Sequence, residues 1–226
     1  MTTSRIAVTG ACGLLGSSVC SYLKEAGYEV LELDLKLGHD LTDEDFVTSW
    51  FQEHAVDGLV NMFALNDHVT SDSRNTDFLS VDLDSFSRYM SVNVTALFSV
   101  CREFIRNNGV GSIVNASSIY GEVSPRPSLY GGGEKHPGYG VSKAAVVMLS
   151  RHLAVHCAPT VRVNCIMLGG VLNGQPEDFV ARYSQQAPLG RMATPEDVAP
   201  LVGFLLSPDS RYMTGALLPV DGGWTA

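Results

Sequence analysis

The 226-residue sequence lacks the marks of several protein classes. Its five cysteines are an odd set without a CxxC pair, which argues against a disulfide framework and a structural zinc site. No apolar run approaches membrane-spanning length, and the N-terminus shows no basic-then-apolar export pattern. The sequence has only 15 basic residues against 24 acidic ones. Because the basic residues are scattered along the chain, no positively charged surface for binding nucleic acid is predicted. We therefore expect a cytoplasmic protein without nucleic-acid or membrane partners.

The six histidines do not form a metal-binding pattern. His152 and His156 are four residues apart on a predicted helix, but no HExxH-type acid accompanies them and no third ligand is evident. The other four are His39, His54, His68 and His136. No metal site is predicted.

Short apolar runs alternate along the chain with segments of helical periodicity. The runs predict strands at 5–9, 29–34, 58–64, 112–117, 161–168 and 216–220. Most are apolar on both faces, as parallel strands are when helices cover both sides of a sheet. The periodic segments predict helices at 14–27, 91–109, 143–158 and 194–207. The pattern indicates one α/β domain over residues 1–226, a doubly wound parallel sheet of the Rossmann type. Pro219 lacks a ladder donor and places the last strand at an edge.

The region after the second predicted strand is shortened. Only five residues separate Asp34 from Asp40, too few for the helix that usually crosses to the next strand. We expect the adenine side of a nucleotide site to be trimmed here, with residues 39–42 forming a vestigial edge strand. By position, Asp40 and Leu41 could contact the adenine.

A glycine-rich turn follows the first predicted strand. Gly10, Gly13 and Gly16 in "TGACGLLG" allow the backbone to turn tightly and approach a pyrophosphate, whose charge the amides of a helix N-terminus stabilise. The second strand ends in Asp34, where an acid can accept hydrogen bonds from the adenosine ribose. Such an acid repels a 2′-phosphate, and neither Cys12 nor Leu35 supplies a compensating cation. The pattern favours NAD(H), with Lys36 as the one opposing charge.

A second motif, "YGVSK", pairs Tyr139 with Lys143. Residues four apart lie on one face of a helix, and a neighbouring ammonium favours the phenolate form of a tyrosine. Ser118 ends the "SIVNASS" strand, where open α/β sheets present ligand-binding groups. Because the GxSxG elbow of serine hydrolases and the P-loop spacing are both absent from the sequence, these residues predict acid–base chemistry on a bound ligand.

With these motifs the chain resembles the short-chain dehydrogenase/reductases over essentially its full length. The matching segments are "TGACGLLG", "DGLVNMFA", "MSVNVTALF", "GSIVNASSIYG", "YGVSK", "RVNCIMLGGV" and the stretch from "PLGRMATPEDVAP" to "VDGGW". The short length and the "VDGGW" ending are similar to the single-domain branch of that family, although the "TGxxGxxG" spacing is similar to its extended branch.

The resemblance implies a role for each matched residue. Tyr139 would be the general acid/base, and Lys143 would lower its pKa while binding the nicotinamide ribose. Ser118 would hold the substrate oxygen, and Asn93 would support a water chain that resupplies protons. Val171 would meet the nicotinamide carboxamide through its backbone. The remaining cofactor residues implied are Gly10, Cys12, Gly13, Leu14, Leu15, Gly16, Asp34, Asp40, Leu41, Asn61 and Ala64.

The chain also departs from the family pattern. Met62 and Phe63 stand where Asn and Ala are common, and Leu168 replaces the usual proline. The 21-residue spacing from Ser118 to Tyr139 is longer than is common, so an inserted loop must arch beside the site. This loop and "GGVLNGQPEDFVARY" are loosely similar to a subset of oxidoreductases that modify surface sugars such as flagellin glycans. The candidate substrate contacts on the loop are Arg126, Tyr130, Lys135 and His136.

The resemblance implies an NAD(H)-dependent oxidoreductase that interconverts a secondary alcohol and a ketone of a small molecule. The loose similarity to the sugar-modifying subset suggests a sugar or nucleotide sugar as that molecule. Two alternatives stay open: a nucleotide-sugar epimerase or dehydratase that retains NAD, and a non-catalytic dinucleotide-binding protein. Apolar residues on the helices at 94–106 and 143–154 exceed the obvious need of one sheet face, among them Val100, Phe104, Val147 and Leu149. Because such helices build dimers and tetramers in the resembled family, a homodimer or homotetramer is expected.

Overall fold

The computed structural model describes residues 4–67, 78–131 and 133–226. Its centre is a six-stranded sheet with order β2-β1-β3-β4-β5-β6, in which every neighbouring pair is parallel. The strands are β1 (Arg5–Thr9), β2 (Glu29–Leu33), β3 (Gly58–Asn61), β4 (Gly111–Ser118), β5 (Val161–Leu168) and β6 (Leu217–Val220). The predicted doubly wound parallel sheet is confirmed, and Pro219 lies in an edge strand as predicted.

Helices connect the strands and cover both faces of the sheet. They are α1 (Leu14–Glu25), α2 (Glu44–Glu53), α3 (Leu83–Met90), α4 (Leu97–Asn108), α5 (Pro137–Cys157), α6 (Glu177–Gln186) and α7 (Pro195–Leu206). A π-helical turn, Ser91–Ala96, joins α3 to α4. Gly27 follows α1 in a left-handed conformation, and Thr194 and Asp197 form a capping box at α7.

The sheet carries an apolar core on each face because its strands are apolar on both sides. Ala7 of β1 packs into a cluster with residues of α2, α4 and α5, whereas Ile6 and Val8 pack into a cluster with residues of α1 and α7. Full burial of each large apolar side chain contributes about 1.5–3 kcal/mol. Successive residues of β1 thus point into apolar cores on opposite faces of the sheet, which explains why the strand is apolar at consecutive positions.

The expected vestigial strand at 39–42 does not form. The Asp40 carboxylate accepts hydrogen bonds from the backbone N–H and the hydroxyl of Thr42, at 2.9 and 2.7 Å, and closes a turn. Asp43 then caps α2 by accepting from the N–H groups of Asp45 and Phe46. These local bonds replace ladder bonds, so the chain passes through a 3₁₀ turn into α2, and β2 is the sheet edge in the part of the chain described.

The apolar residues thought to be spare on α4 and α5 are not spare. Val100 and Phe104 are fully buried, and Val147 lies in the same core, with Leu149 packed against it. The core of a single chain thus already uses Val100, Phe104 and Val147, while Leu149 is only partly buried against it, and the expected subunit contact stays a prediction. The exposed apolar side chains on these two helices are others, namely Phe98, Val141, Met148 and Val155.

Candidate active site

A cavity of about 640 Å³ opens at the carboxyl ends of the strands. It is bounded by the start of α1, the ends of β4 and β5, the first turn of α5 and the start of α6. Ligands of open α/β sheets bind at this edge, beside the point where the chain reverses its winding direction, which here lies between β1 and β3. The volume falls within the range of about 300–1,000 Å³ usual for small-molecule sites.

The glycine turn after β1 has the close backbone packing that a dinucleotide cradle needs. Gly10 has φ of +69°, and a Cβ there would lie 2.5 Å from the backbone nitrogen of Phe63. A Cβ at Gly16 would overlap the carbonyl oxygen of Gly10. The first turn of α1 has no side-chain cap, and Gly13, Leu14, Leu15 and Gly16 line the cavity. The N–H groups of this turn therefore remain available for a pyrophosphate.

Asp34 supports this turn from the end of β2. Its carboxylate accepts from the N–H of Cys12 at 3.0 Å and from the N–H of Lys36 at 2.8 Å. The Lys36 ammonium lies 3.5 Å from the carbonyl oxygen of Cys12. The acid that would contact an adenosine ribose thus also holds the glycine turn. These residues fit NAD(H).

The two residues predicted beside the adenine lie differently. The Leu41 side chain is buried in the core with Val47 and Phe51 of α2. The Asp40 carboxylate bonds within its own turn, and its hydrogen bonds with Thr42 hold the pKa of this carboxyl below its usual value. Adenine contact by either residue stays a prediction.

Tyr139, Lys143 and Ser118 come together in the cavity wall. Tyr139 and Lys143 lie on the first turns of α5, and the lysine nitrogen is 5.8 Å from the centre of the tyrosine ring. That ammonium donates to the carbonyl oxygen of Ala116 at 2.9 Å. Ser118 is the last residue of β4, and its side chain also lines the cavity. The sequence-predicted constellation is therefore assembled.

Burial controls the protonation of these groups. Burial raises the pKa of Tyr139, and a hydrogen bond with Ser118 opposes this effect. Burial also lowers the pKa of Lys143 to about 8, since a charged amine is costly in an apolar wall. Burial therefore disfavours the charged form of both groups, the phenolate of Tyr139 and the ammonium of Lys143.

Two buried asparagines support the site without facing the cavity. The Asn93 side chain, in the π-helical turn, accepts from the Leu65 N–H at 2.7 Å and donates to Ser142 at 2.9 Å. Ser142 in turn donates to the Tyr139 carbonyl oxygen at 2.8 Å. Asn61 donates to Asn115 at 2.8 Å. Asn93 therefore ties the loop after β3 to the turn that carries Tyr139.

The departures from the family pattern are accommodated by packing. Met62 and Phe63 pack against the cores on opposite faces of the sheet, while Ala64 lines the cavity. Leu168 also lines the cavity at the end of β5. The next two positions need glycine, because a Cβ at Gly170 would lie 2.7 Å from the Tyr183 ring and one at Gly169 would be equally close to the backbone of Asp221.

The inserted loop contributes only some of its candidate residues to the cavity. Tyr130 lines it and donates to the Tyr120 hydroxyl at 2.6 Å, and Lys135 lines it beside Tyr139. The Arg126 guanidinium instead lies 5.0 Å above the Trp224 ring, outside the lining.

His136 has a structural position at the start of α5. Its Nδ1 accepts from the Gly138 N–H at 3.1 Å, its Nε2 lies 2.6 Å from the Ser85 hydroxyl, and its ring stacks on Tyr89. The imidazole therefore caps α5.

The far wall of the cavity comes from the region between β5 and α7. Val171, predicted as a cofactor contact, lines the cavity and forms a backbone bridge with Ala193. Tyr183 also lines it, accepts from the Gly170 N–H at 2.5 Å and stacks on Trp224. The sequence did not single out Tyr183, because no spacing signal marks a residue that buttresses a loop through its hydroxyl.

The described residues offer neither a metal-binding cluster nor a membrane-spanning helix. Among residues 4–67, 78–131 and 133–226, no three His, Cys, Asp or Glu side chains gather as a metal site requires. His152 and His156 lie together as predicted, with ring centres 4.2 Å apart. His68 lies outside the described residues. Within the described ranges, every helix is too short or too polar to span a bilayer.

Comparison with known proteins places this site in a family context. The model of a family described as enoyl-(acyl carrier protein) reductase matches residues 14–225. The cis-4-hydroxycyclohexanecarboxylate dehydrogenase of Sinomonas cyclohexanicum is 30% identical, covering 97% of this chain and 95% of its own. The galactitol 2-dehydrogenase (L-tagatose-forming) of Cereibacter sphaeroides is also 30% identical, over 97% of this chain and 94% of its own.

A solved structure of similar shape carries a nucleotide. It is a short chain dehydrogenase from Leptospira borgpetersenii with bound NAD+, 28% identical, with a TM-score of 0.89 over 100% of this chain and 94% of the other.

Proposed function

Because this chain belongs to the short-chain dehydrogenase/reductase family and is an oxidoreductase of that family, we propose that it uses NAD(H) to interconvert a secondary alcohol and a ketone. The observation that carries the proposal is the cavity wall shared by Ser118, Tyr139 and Lys143. Both relatives compared above are named as dehydrogenases of hydroxylated compounds, and both share nearly the whole chain.

The bound cofactor would supply hydride to the ketone or accept it from the alcohol. The Ser118 hydroxyl would hold the substrate oxygen at the end of β4. Tyr139 would donate a proton to that oxygen during reduction and accept it during oxidation. Since burial raises the pKa of Tyr139, its phenolate needs a nearby cation, and Lys143 is placed four residues along the same helix.

Asn93 would act as a positioning residue in this scheme. It bonds Ser142, which bonds the Tyr139 carbonyl oxygen, so it fixes the turn that presents the phenol. A water chain from Asn93 to Lys143, which the resemblance implies, remains part of the proposal.

The preference for NAD(H) over NADP(H) rests on Asp34. Its carboxylate is held at the end of β2 by two backbone N–H groups, so it cannot easily turn away from a ribose. The 2′-phosphate of NADP(H) would lie beside the Asp34 carboxylate, and the repulsion between the two negative groups would disfavour NADP(H). The neighbouring Lys36 ammonium lies beside the Cys12 carbonyl oxygen.

A sugar substrate remains a finer prediction. One relative is named for galactitol, and the wall offers Asn66, Asn173 and Gln175 as polar groups. The same wall carries apolar Met62, Ile119 and Phe179. A compact ring or chain with one secondary alcohol fits both kinds of surface.

We also propose that the protein is a homodimer formed through α5. Val141, Met148 and Val155 recur every seven residues and are 49%, 63% and 76% exposed. Such a stripe is costly in water, and a second copy would cover it. Light scattering should give twice the 24.3 kDa chain mass, and Met148→Glu should shift the protein toward monomer. A monomeric wild type would contradict this part.

The oxidoreductase proposal is tested with the purified protein and both nicotinamides. NADH should raise the Tm clearly more than NADPH at equal concentration, and a screen of secondary alcohols with NAD should give NADH absorbance for at least one. Asp34→Ala should weaken NADH binding while preserving the fold. No stabilisation by either nicotinamide would overturn the proposal, and equal stabilisation by both would overturn the assigned role of Asp34.

A further inference from the structure

The charge inside the cavity is opposite to that of the protein. The chain carries a net charge of −9, yet among the described residues the only charged side chains that line the cavity are Lys135 and Lys143. Lys143 is required for the Tyr139 chemistry and donates to Ala116 deep in the wall. Lys135 has no part in that chemistry and needs another explanation.

Lys135 reaches the cavity from the inserted loop just before α5. Its ammonium donates to the Asn66 side-chain oxygen at 2.5 Å and to the Asp67 carbonyl oxygen, and it lies 4.8 Å from the centre of the Tyr139 ring. The ammonium is therefore nearer to that ring than the Lys143 ammonium is, at 5.8 Å. It stands at the reacting end of the cavity.

The two acceptors that the described residues give this ammonium are both uncharged. The Asp67 carboxylate instead accepts from the Tyr89 hydroxyl at 2.9 Å. A lysine ammonium has three N–H bonds, and two acceptors use only two of them. None of the carboxylates in the described ranges bonds this half-buried ammonium, so an anion from outside the chain would complete an ion pair there.

Asn66 lies next to this ammonium in the cavity lining. Its side-chain oxygen faces Lys135, so its NH2 group, with two N–H donors, is turned elsewhere, and the residue lines the cavity. One ammonium and one amide are the donors that a carboxylate can use together.

We propose that Lys135, with Asn66, binds a carboxylate of the substrate, so that the enzyme acts on a hydroxy acid or keto acid rather than on a neutral alcohol. The proposal rests on the proposed function, which assigns this cavity to the substrate. A carboxylate matches the site better than a phosphate does, because one ammonium balances one negative charge and no arginine lines the described cavity to hold a dianion.

The pKa of Lys135 supports this assignment. Burial lowers it to about 8, and the Asp67 carboxylate partly opposes the shift. Among the described residues, the titratable groups around it also include Tyr139, beneath the ammonium, Lys143 on the same ring, and its sequence neighbours His136 and Glu134. An ammonium with a pKa of about 8 loses its charge between pH 7 and pH 9, so binding of a carboxylate should weaken over that range.

The test compares two probes of nearly equal shape, benzoate and benzamide, by ligand-detected NMR with and without NADH. In the wild type at pH 7, benzoate should bind at least about tenfold more tightly than benzamide. Lys135→Met should bring the ratio of the two dissociation constants, benzamide over benzoate, near one. Lys135→Arg and the surface control Lys24→Met should leave this ratio as it is in the wild type.

A ratio near one in the wild type would overturn the proposal, as would a preference for benzoate that survives Lys135→Met. A wild-type pH titration gives an answer even if a variant fails to fold: benzoate affinity should fall from pH 7 to pH 9 while benzamide affinity stays constant, and a flat benzoate profile would overturn the proposal. NADH is titrated in the same samples. Its failure to bind counts against the proposed function, whereas intact NADH binding without benzoate preference counts against Lys135 alone.

Discussion

Gly16→Ala distinguishes the effect of packing in the glycine turn from the effect of helix propensity. Packing predicts that this substitution lowers the free energy of unfolding, whereas helix propensity predicts that it raises it. Gly16 lies in the first turn of α1 and is buried. Replacing a helical glycine by alanine normally stabilises a protein by about 0.5–1 kcal/mol. A Cβ at Gly16, however, would overlap the Gly10 carbonyl oxygen and lie 2.9 Å from the Cα of Ala11. Both neighbours are backbone atoms and cannot rotate away.

The magnitude follows from the cost of overpacking. Forcing a methyl group into an occupied space costs about 1–3 kcal/mol. Subtracting the propensity gain leaves a net loss of about 0–2.5 kcal/mol in the free energy of unfolding. The displaced glycine turn should also lose its fit to a pyrophosphate, so we expect NADH affinity to fall by at least about tenfold, or about 1.4 kcal/mol.

Urea unfolding and NADH fluorescence titration measure the two effects separately. Gly13→Ala is the graded comparison, because its Cβ would be 3.2 Å from the same carbonyl oxygen, a much milder contact. Ser18→Ala in the next turn controls for propensity: it should raise the free energy of unfolding by up to about 0.7 kcal/mol and leave NADH affinity unchanged. If Gly16→Ala proved more stable than the wild type and bound NADH normally, the packing argument would be refuted.

The remaining predictions concern the pKa of Lys143, the capping box of α7, and the hydrogen bonds from Asn93 through Ser142 to Tyr139. Burial lowers the pKa of Lys143 to about 8, so above that pH the unfolded chain binds more protons than the folded chain. The free energy of unfolding should therefore rise from pH 8 toward pH 10. Urea unfolding at several pH values should show a smaller rise for Lys143→Met. Asp197→Ala should cost about 1 kcal/mol by urea unfolding, since its carboxylate accepts from the Thr194 N–H at 2.7 Å. Asn93→Leu should lower kcat without changing the Kd for NADH, whereas an unchanged kcat would remove Asn93 from the site.

Most of the fold could be predicted because the strands are buried on both faces. A run such as 161–168 remains apolar at nearly every position, and the structure gives the same bounds for β5. The failed prediction at 39–42 has a different cause. Asp40 and Thr42 bond to each other, and such side-chain bonds compete locally with a ladder.

The start of α5 was harder to predict than its interior. Pro137, Gly138 and Gly140 are typical of a loop, yet the helix begins at Pro137, so Tyr139 lies inside it. The His136 side chain makes this possible by capping the helix through Gly138. Histidine is not among the preferred N-cap residues, so a histidine cap is hard to recognise in a sequence.

The inserted loop shows where sequence reasoning ends. Arg126, Tyr130, Lys135 and His136 were grouped as substrate candidates because they share one loop. The structure sends Arg126 onto Trp224 and His136 onto Tyr89, while Tyr130 and Lys135 face the cavity. An irregular loop has no periodicity, so spacing cannot say which side chains point inward.

The central claim is that Tyr139 transfers the proton, and turnover of Tyr139→Phe tests it most directly. The variant keeps the ring between Tyr89 and the two lysines and removes only the hydroxyl. With a substrate found by the NAD screen, kcat should fall by about 10²–10⁴-fold, the range typical of general acid–base catalysis, while the Kd for NADH stays within about twofold. A kcat within about tenfold of wild type would contradict the account.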